Sequence, residues 1–288
     1  MIPRRSLLPI ETRHGPLVWD ERTQIMAIIN LTPDSFSGDG LAGMSEQAVA
    51  RALQAEAEGA TILDLGAEST RPGHRAVTAS EELERLLPAL NAIRAVTTLP
   101  ISVDTSKAMV ARVAIEAGAD LINDVRGLLA DPDLADVVAL EQVPVVLMHD
   151  IAPESEVDLL SSIIRELSRR IDRAIAHGVA YDNIIVDPGF GFGKNMSHNL
   201  ELLRRLDELQ VLGRPILAGL SRKRTIGHVL GTPEHDRVEG TVATTVMAIE
   251  RGATIVRVHD VNANARAARM TDAVIRDLPV VPLDWDTK

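Results

Sequence analysis

The sequence predicts an α/β fold, a (β/α)8 barrel built as a single domain. Three observations carry that expectation. Eight short runs rich in Val, Ile and Leu start about every 33 residues, and a chain of eight such βα units fits a barrel of about 250 residues. Each run is near-continuously apolar and does not alternate, as strands buried on both faces should be. Stretches with helical spacing lie between them. A doubly wound sheet is the alternative.

The runs follow in order. "IMAIIN" from Ile25 is followed by a helical pattern, "SEQAVARALQAEAEGA", with Ser45 as N-cap and Gly59 as C-cap. "TILDLG" from Thr61 precedes a helix starting at Ser80, and "ISVDTS" from Ile101 precedes one from Ser106 to Gly118. "LINDV" from Leu121 and "PVVLMH" from Pro144 come next, then a helix from Ser155 to Gly178. "NIIVDPG" from Asn183 leads to one continuous helix from Ser197 to Gly213. "PILAGLS" from Pro215 and "TIVRVHD" from Thr254 are each followed by a further helical stretch. The dipeptide Gly-Ala stands before three strands, at Gly59, Gly118 and Gly252, a repeated helix-to-strand turn. Residues 1–24 form an N-terminal extension covering the barrel, 25–280 the barrel, and 281–288 a tail.

The chain has 288 residues, enough to bury a large core without staples. It contains no cysteine, which excludes disulfides and thiolate metal sites and points to a reducing compartment. The N-terminus makes a poor signal peptide, and no run approaches the roughly 20 apolar residues of a membrane span. A cytoplasmic protein with no membrane partner is expected. The net charge of −11 argues against a nucleic-acid surface. An anionic ligand would need local positive groups to overcome that background.

In a barrel of this kind the active site lies at the C-terminal ends of the strands. Those ends carry Asn30; Glu68, Ser69, Thr70 and Arg71; Asp104, Thr105 and Ser106; Asn123, Asp124 and Arg126; Met148 and His149; Asp187; Ser221, Arg222 and Lys223; and Arg257, His259 and Asp260. One polar strand end means little, since Asp104 or Asn123 could simply cap the next helix. Polar groups at all eight ends are harder to dismiss. Only four of the 30 basic residues are lysines, and three of them, Lys107, Lys194 and Lys223, follow strand ends. Arg71, Lys223, Arg257 and His259 could converge on a phosphate or pyrophosphate. Asp104, Asn123 and Asp187 could read a planar heterocycle with several N–H donors, because a carboxylate can accept two parallel hydrogen bonds. Asn30 offers an amide oxygen, which suits Mg²⁺ held mostly by water and substrate phosphates.

Other chemistries recede. In "DPGFGFGKN", Pro188 stands where the nucleotide-binding P-loop needs its first glycine, and Asn195 replaces its Ser or Thr. The glycines there suit a tight turn close to a ligand. His74, His149 and His259 are too scattered for a zinc site. A Schiff-base role for Lys223 stays open, although its neighbouring arginines better suit an anion or carbonyl contact.

The motifs "NLTPDSFSGDG", "GAESTRPG", "ISVDTSK", "INDVRG", "LMH", "DPGFGFGKN", "LSRK" and "IVRVHD", in this order from Ile25 to Ile275, resemble the dihydropteroate synthases, pterin-binding barrels of folate synthesis. The resemblance implies condensation of 6-hydroxymethyl-7,8-dihydropterin pyrophosphate with 4-aminobenzoate, giving 7,8-dihydropteroate and pyrophosphate by dissociative C–O cleavage. It implies that Asp104, Asn123, Met148, Asp187 and Lys223 hold the pterin. Asn30, Arg71, Arg257 and His259 take the pyrophosphate, with Asn30 the Mg²⁺ ligand. Phe36, Thr70, Pro72, Phe192 and Arg224 surround 4-aminobenzoate. Asp34, Arg71, Lys223 and Arg257 are the implied catalytic groups. Mg²⁺ as cofactor and a homodimer are implied as well.

Three features depart from the family pattern: "SGDG" at residues 37–40 permutes the usual order, Arg224 stands where a serine is usual, and "DIAPESEV" after His149 lacks the common glycine turn. The Arg224 position lies beside the aminobenzoate site in the family, and the three together bear on the fine shape of that site and so on sulfonamide sensitivity. The rival readings are a methyltetrahydrofolate-binding methyltransferase barrel and a catalytically silent barrel. "TRPG", "SRK" and "RVH" form an anion site that the methyltransferase does not need. Phe36 on the first loop is expected to close over the flat aminobenzoate ring, with Pro33 limiting the loop and Gly38 and Gly40 its hinges.

Overall fold

The computed structural model describes residues 7–32, 40–68, 77–154 and 157–276, with the side chains of 40–42 excluded. Eight strands alternate with helices: β1 (Gln24–Asn30), β2 (Ile62–Gly66), β3 (Ile101–Asp104), β4 (Leu121–Asp124), β5 (Val145–Met148), β6 (Ile184–Asp187), β7 (Leu217–Ala218) and β8 (Ile255–Val258). All pair in parallel in the order β6-β5-β4-β3-β2-β1-β8-β7. A parallel bridge between Val186 and Ile216 joins the two outer strands, so the sheet closes on itself. The eight strands stand where the apolar runs place them, and the fold is the (β/α)8 barrel; the doubly wound alternative is excluded by closure.

Two apolar layers build it. Leu63 and Leu65 of β2 point outward into the layer between sheet and helices, with Val103, Leu147 and Val186. Ile62 points inward with Met26, Leu121, Val146, Ile185, Leu217 and Ile255, and Ile10, Leu17 and Trp19 pack against this inner plug from below. The lower barrel is therefore solid, and inward-facing residues nearer the C-terminal ends of the strands are left to form a site.

The helices are α1 (Gly40–Glu58), α2 (Ala79–Arg94), α3 (Ala108–Glu116), α4 (Leu134–Glu141), α5 (Leu159–Ala176), α6 (Met196–Arg204), α7 (Arg224–Leu230), α8 (Val238–Glu250) and α9 (Val261–Ile275). Several expected starts are corrected. Ser45 is not an N-cap, because Met44, Ala48, Ala52 and Ala55 are buried and continue the apolar stripe a turn upstream. Gly40, expected as a loop hinge, is the first residue of α1. Thr78, not Ser80, caps α2, in a reciprocal capping box with Glu81. Ser106 does not cap α3; its hydroxyl donates to Asp124 (2.5 Å), and Asp131 instead accepts the Ala108 N–H (2.8 Å). Asp158, not Ser155, caps α5, accepting the Ser161 N–H at 3.0 Å. The expected helix from Ser197 to Gly213 is two pieces: α6, capped by Asn195, and a 3-10 segment from Leu206 to Leu212. Helices α4 and α7 had no counterpart among the sequence expectations.

The Gly-Ala turn is real. Gly59, Gly118 and Gly252 have φ of +104°, +103° and +98°. In each the following alanine N–H reaches the carbonyl five residues back, as from Ala60 to Ala55. This left-handed cap ends the helix and turns the chain into the next strand.

Candidate active site

Strand register sets the site. Asn30 pairs with Gly66, Gly66 with Asp104, and Asp104 with Asn123, so these strand-end residues form one row on the rim. Met148 pairs with Asp187 in the same way. A Cβ at Gly66 would stand 3.6 Å from that of Asp104, an ordinary contact.

Inside the row lies a buried ionic network. Arg257 Nε donates to Asp64 at 2.6 Å and its Nη2 to Asp104 at 3.1 Å. Asn123 Nδ2 also faces Asp64, at 3.4 and 3.3 Å. Asp64, Asp104, Asn123 and Asp187 are all buried. Burial pushes the Asp104 carboxyl up to about 7; Arg257 opposes this, while Asp64 and Asp124 add to it. Burial likewise raises Asp187, against the Gly189 N–H, Lys223, Lys194 and Arg257. Carboxylates in such a place hold strong acceptor capacity toward a ligand with N–H donors. Asp124, also buried, has a different job: it accepts Ser106 Oγ and the N–H groups of Arg126 (2.8 Å) and Leu128 (2.5 Å), fixing the turn after β4.

The loops after β7 and β8 are joined by two adjacent pairs. Ser221 Oγ lies 3.0 Å from His259 Nδ1 and accepts the His259 N–H at 3.1 Å. Arg222, with φ of +54°, donates to both carboxylate oxygens of Asp260, at 2.9 and 2.5 Å. Lys223 follows directly; its Nζ lies 4.4 Å from the Phe192 ring centroid, and its stem crosses Gly191, where a Cβ would stand 3.2 Å from Cδ.

Of the expected site residues, Asp104 and Arg257 are in direct contact, and Asn123 and Arg257 meet through Asp64. Lys223 and Phe192 stack, Met148 and Asp187 are register partners, and His259 is held by Ser221. Asn30 stands at the rim on β1. Arg224 opens α7 and is exposed. Asp34, Phe36, Thr70, Arg71 and Pro72, with the loop residues Pro33 and Gly38, lie outside the described residues. Phe190, in the turn after β6, is 2% exposed and belongs to the apolar layer.

Sequence reasoning passed over Asp64. Its signal was present, a lone carboxylate inside the apolar run "TILDLG". A charge in a strand buried on both faces requires a partner. Lys107 was singled out only by its position; it pairs with Glu68 and with Glu82 (2.5 Å) behind the rim. Two of the three glycines of "DPGFGFGKN" approach protein backbone, where a ligand was expected: Cβ atoms at Gly189 and Gly193 would lie 1.9 Å from the His149 carbonyl oxygen and 2.3 Å from that of Ile151.

Residues 26–259 match the family model of pterin-binding enzymes. The chain is 48% identical over 257 residues to the dihydropteroate synthase of Clostridium beijerinckii, covering 89% of this chain and 96% of that one. Its fold is similar to the crystal structure of a Clostridium difficile dihydropteroate synthase determined in the presence of pteroic acid, with a TM-score of 0.87 and 46% identity over 90% of this chain and 98% of that chain. A Xanthomonas albilineans dihydropteroate synthase with 4-aminobenzoic acid aligns at a TM-score of 0.85 and 46% identity, covering 92% of this chain and 96% of that chain. The family model spans residues 26–259, and the Clostridium beijerinckii relative shares 48% identity with 96% of its length covered, so the chain belongs to the dihydropteroate synthase family of pterin-binding enzymes.

Proposed function

We infer that the protein condenses 6-hydroxymethyl-7,8-dihydropterin pyrophosphate with 4-aminobenzoate, releasing pyrophosphate and forming 7,8-dihydropteroate. The observation that carries this is the row of buried acceptors, Asp104, Asn123 and Asp187, beside the cation Arg257. Asp104 and Asp187 receive the N–H donors of the pterin edge, and Met148 packs nearby. In the free protein Arg257 partly fills that role on Asp104. The substrate pyrophosphate draws the guanidinium toward itself, Nε staying on Asp64, and leaves Asp104 for the pterin.

The C–O bond then breaks, with its electron pair leaving on pyrophosphate. Arg257, His259 and Arg71 stabilise that charge. The methylene carbon becomes cationic, its charge spread into the pterin and favoured by the nearby carboxylates. The neutral amine of 4-aminobenzoate attacks it between Phe192, Phe36, Thr70, Pro72 and Arg224, with Asp34 assisting from the first loop; the C–N bond forms and the amine loses one proton to solvent. Lys223 bridges the two halves, within reach of the pterin and over the Phe192 ring. No protein nucleophile takes part.

Mg²⁺ fits the donor set at one point. Among the described residues no group of three or more His, Asp or Glu could hold a metal, so a Mg²⁺ here would rest on the Asn30 amide oxygen, water and substrate phosphates. When bound it supplies charge neutralisation to the leaving pyrophosphate. The methyltransferase reading is not favoured, because the relatives of this chain are dihydropteroate synthases. No described helix is long and apolar enough to cross a membrane. A homodimer is part of the proposal, checked by sedimentation. The test of the function is pyrophosphate release from the two substrates with Mg²⁺. Release that requires 4-aminobenzoate supports the reading; none, while the pterin still binds, refutes it. An inhibition curve with a sulfonamide checks competition for the aminobenzoate site.

A further inference from the structure

Lys194 is the part of "DPGFGFGKN" that the reaction does not use. Its side chain is half-buried, and its Nζ sits among four neutral acceptors: His149 Nδ1 (2.9 Å) and the carbonyl oxygens of Phe192 (3.0 Å), Gly189 (3.1 Å) and His149 (3.2 Å). No carboxylate touches it among the described contacts. Burial holds the lysine down to about 7, and burial with Lys194 and Arg170 holds His149 down to about 3, so the imidazole is a neutral acceptor. Placing a cation here costs free energy unless its three protons are all used, and four acceptors converge to use them.

Those acceptors come from two places, the end of β5 and both ends of the turn after β6. The two backbones touch so closely that glycine is required at 189 and 193. Asp187 does not depend on this contact, because β6 is fixed by its ladder and the Asp187 carbonyl accepts the His149 N–H at 2.9 Å. Phe192 does depend on it. Its backbone is held by one N–H bond to the Gly189 carbonyl (3.1 Å) and by the Lys194 ε-amino group on its own carbonyl.

We propose that Lys194 is a positioning residue for the amine-acceptor half of the site: its ε-amino group clamps the turn after β6 onto the end of β5 and so fixes the Phe192 ring that 4-aminobenzoate and Lys223 share. The proposal rests on the condensation reading above. The experiment compares wild type, Lys194→Met, Phe192→Ala and the double variant in steady-state kinetics with both substrates. Wild-type protein that releases no pyrophosphate refutes the condensation reading. With active wild type, the clamp predicts that Lys194→Met raises KM for 4-aminobenzoate about tenfold and changes KM for the pterin substrate by less than about twofold. It also predicts that the double variant is no worse than Phe192→Ala alone, since Lys194 acts through that ring. Equal rises in both KM values, or effects of the two substitutions that multiply, overturn it. Lys194→Gln, which keeps donor groups, should recover part of the loss. If neither Lys194 variant is recovered folded, the lysine belongs to the fold and the positioning role fails.

Discussion

Replacing Asp64 with asparagine tests the ionic network with little change in shape. Asparagine has the same size, so no cavity opens, and only charge and one acceptor are lost. The substitution removes the partner of Arg257 Nε at 2.6 Å and half of the acceptor facing Asn123. Removing one partner of a buried pair costs about 3–5 kcal/mol. Two effects reduce that here. Asp104 still pairs with Arg257 at 3.1 Å, and the repulsion that Asp64 exerts on Asp104 disappears. A net loss of about 2–3 kcal/mol follows, which for a large domain lowers Tm by roughly 5–10 °C. Function should suffer in a specific way. Arg257 settles fully on Asp104 and occupies an acceptor the pterin needs, so pterin affinity falls about tenfold or more. Calorimetry gives the first quantity and titration with the bare pterin the second. A variant that melts within 2 °C of wild type and binds pterin equally well would refute the claim that Asp64 organises Arg257.

Four further outcomes are expected. Arg257→Ala should weaken a pyrophosphate-bearing pterin much more than the bare pterin in binding titrations; equal losses would contradict the anion-anchor role. The raised Asp104 carboxyl keeps its proton in the folded state up to about pH 7 while the unfolded chain has lost it near pH 4, so this group's contribution to stability falls as pH rises across that window and levels off above it. Urea denaturation at pH 5 and pH 8 should therefore show a smaller loss for Asp104→Asn than for wild type, by at most about 3 kcal/mol, and pterin binding by wild type should tighten through pH 7. Gly189→Ala should abolish folding, because φ is +69° and its Cβ would collide with the His149 carbonyl, whereas Gly231→Ala, with φ of +68° but open space, should cost only about 1 kcal/mol in urea denaturation. Phe36→Ala should raise KM for 4-aminobenzoate more than that for the pterin substrate.

Much of the barrel was legible because strands buried on both faces leave a plain mark. "LINDV" and "PVVLMH" read as interior strands, and the polar residues near their ends are expected at the C-terminal end of the barrel. The capping signals were less legible because serine competes with its neighbours. Ser106 is drawn to Asp124, and Ser80 loses to the Thr78–Glu81 box two residues earlier. Helix α4 was missed because its apolar residues run together, as in Val137 and Val138, without a clear stripe. The inner site was legible where residues end strands, as with Asp104, Asn123 and Asp187. It was hidden where a charge sits below the rim, as Asp64 does, or where a lysine serves backbone carbonyls, as Lys194 does. Those roles depend on which side chains meet across the barrel, and distance in sequence gives no sign of it: Asp64 and Arg257 are 193 positions apart.

The central claim is that the buried acceptors of the rim bind the pterin on which the condensation occurs. The direct measurement is formation of 7,8-dihydropteroate, identified by mass, alongside pyrophosphate release, for wild type and Asp104→Asn at pH 7.5 with Mg²⁺. The account predicts equimolar products from wild type and a loss of at least about a hundredfold in kcat/KM for the variant. Product formation by Asp104→Asn at the wild-type rate, or none by wild type that binds the pterin, would contradict it.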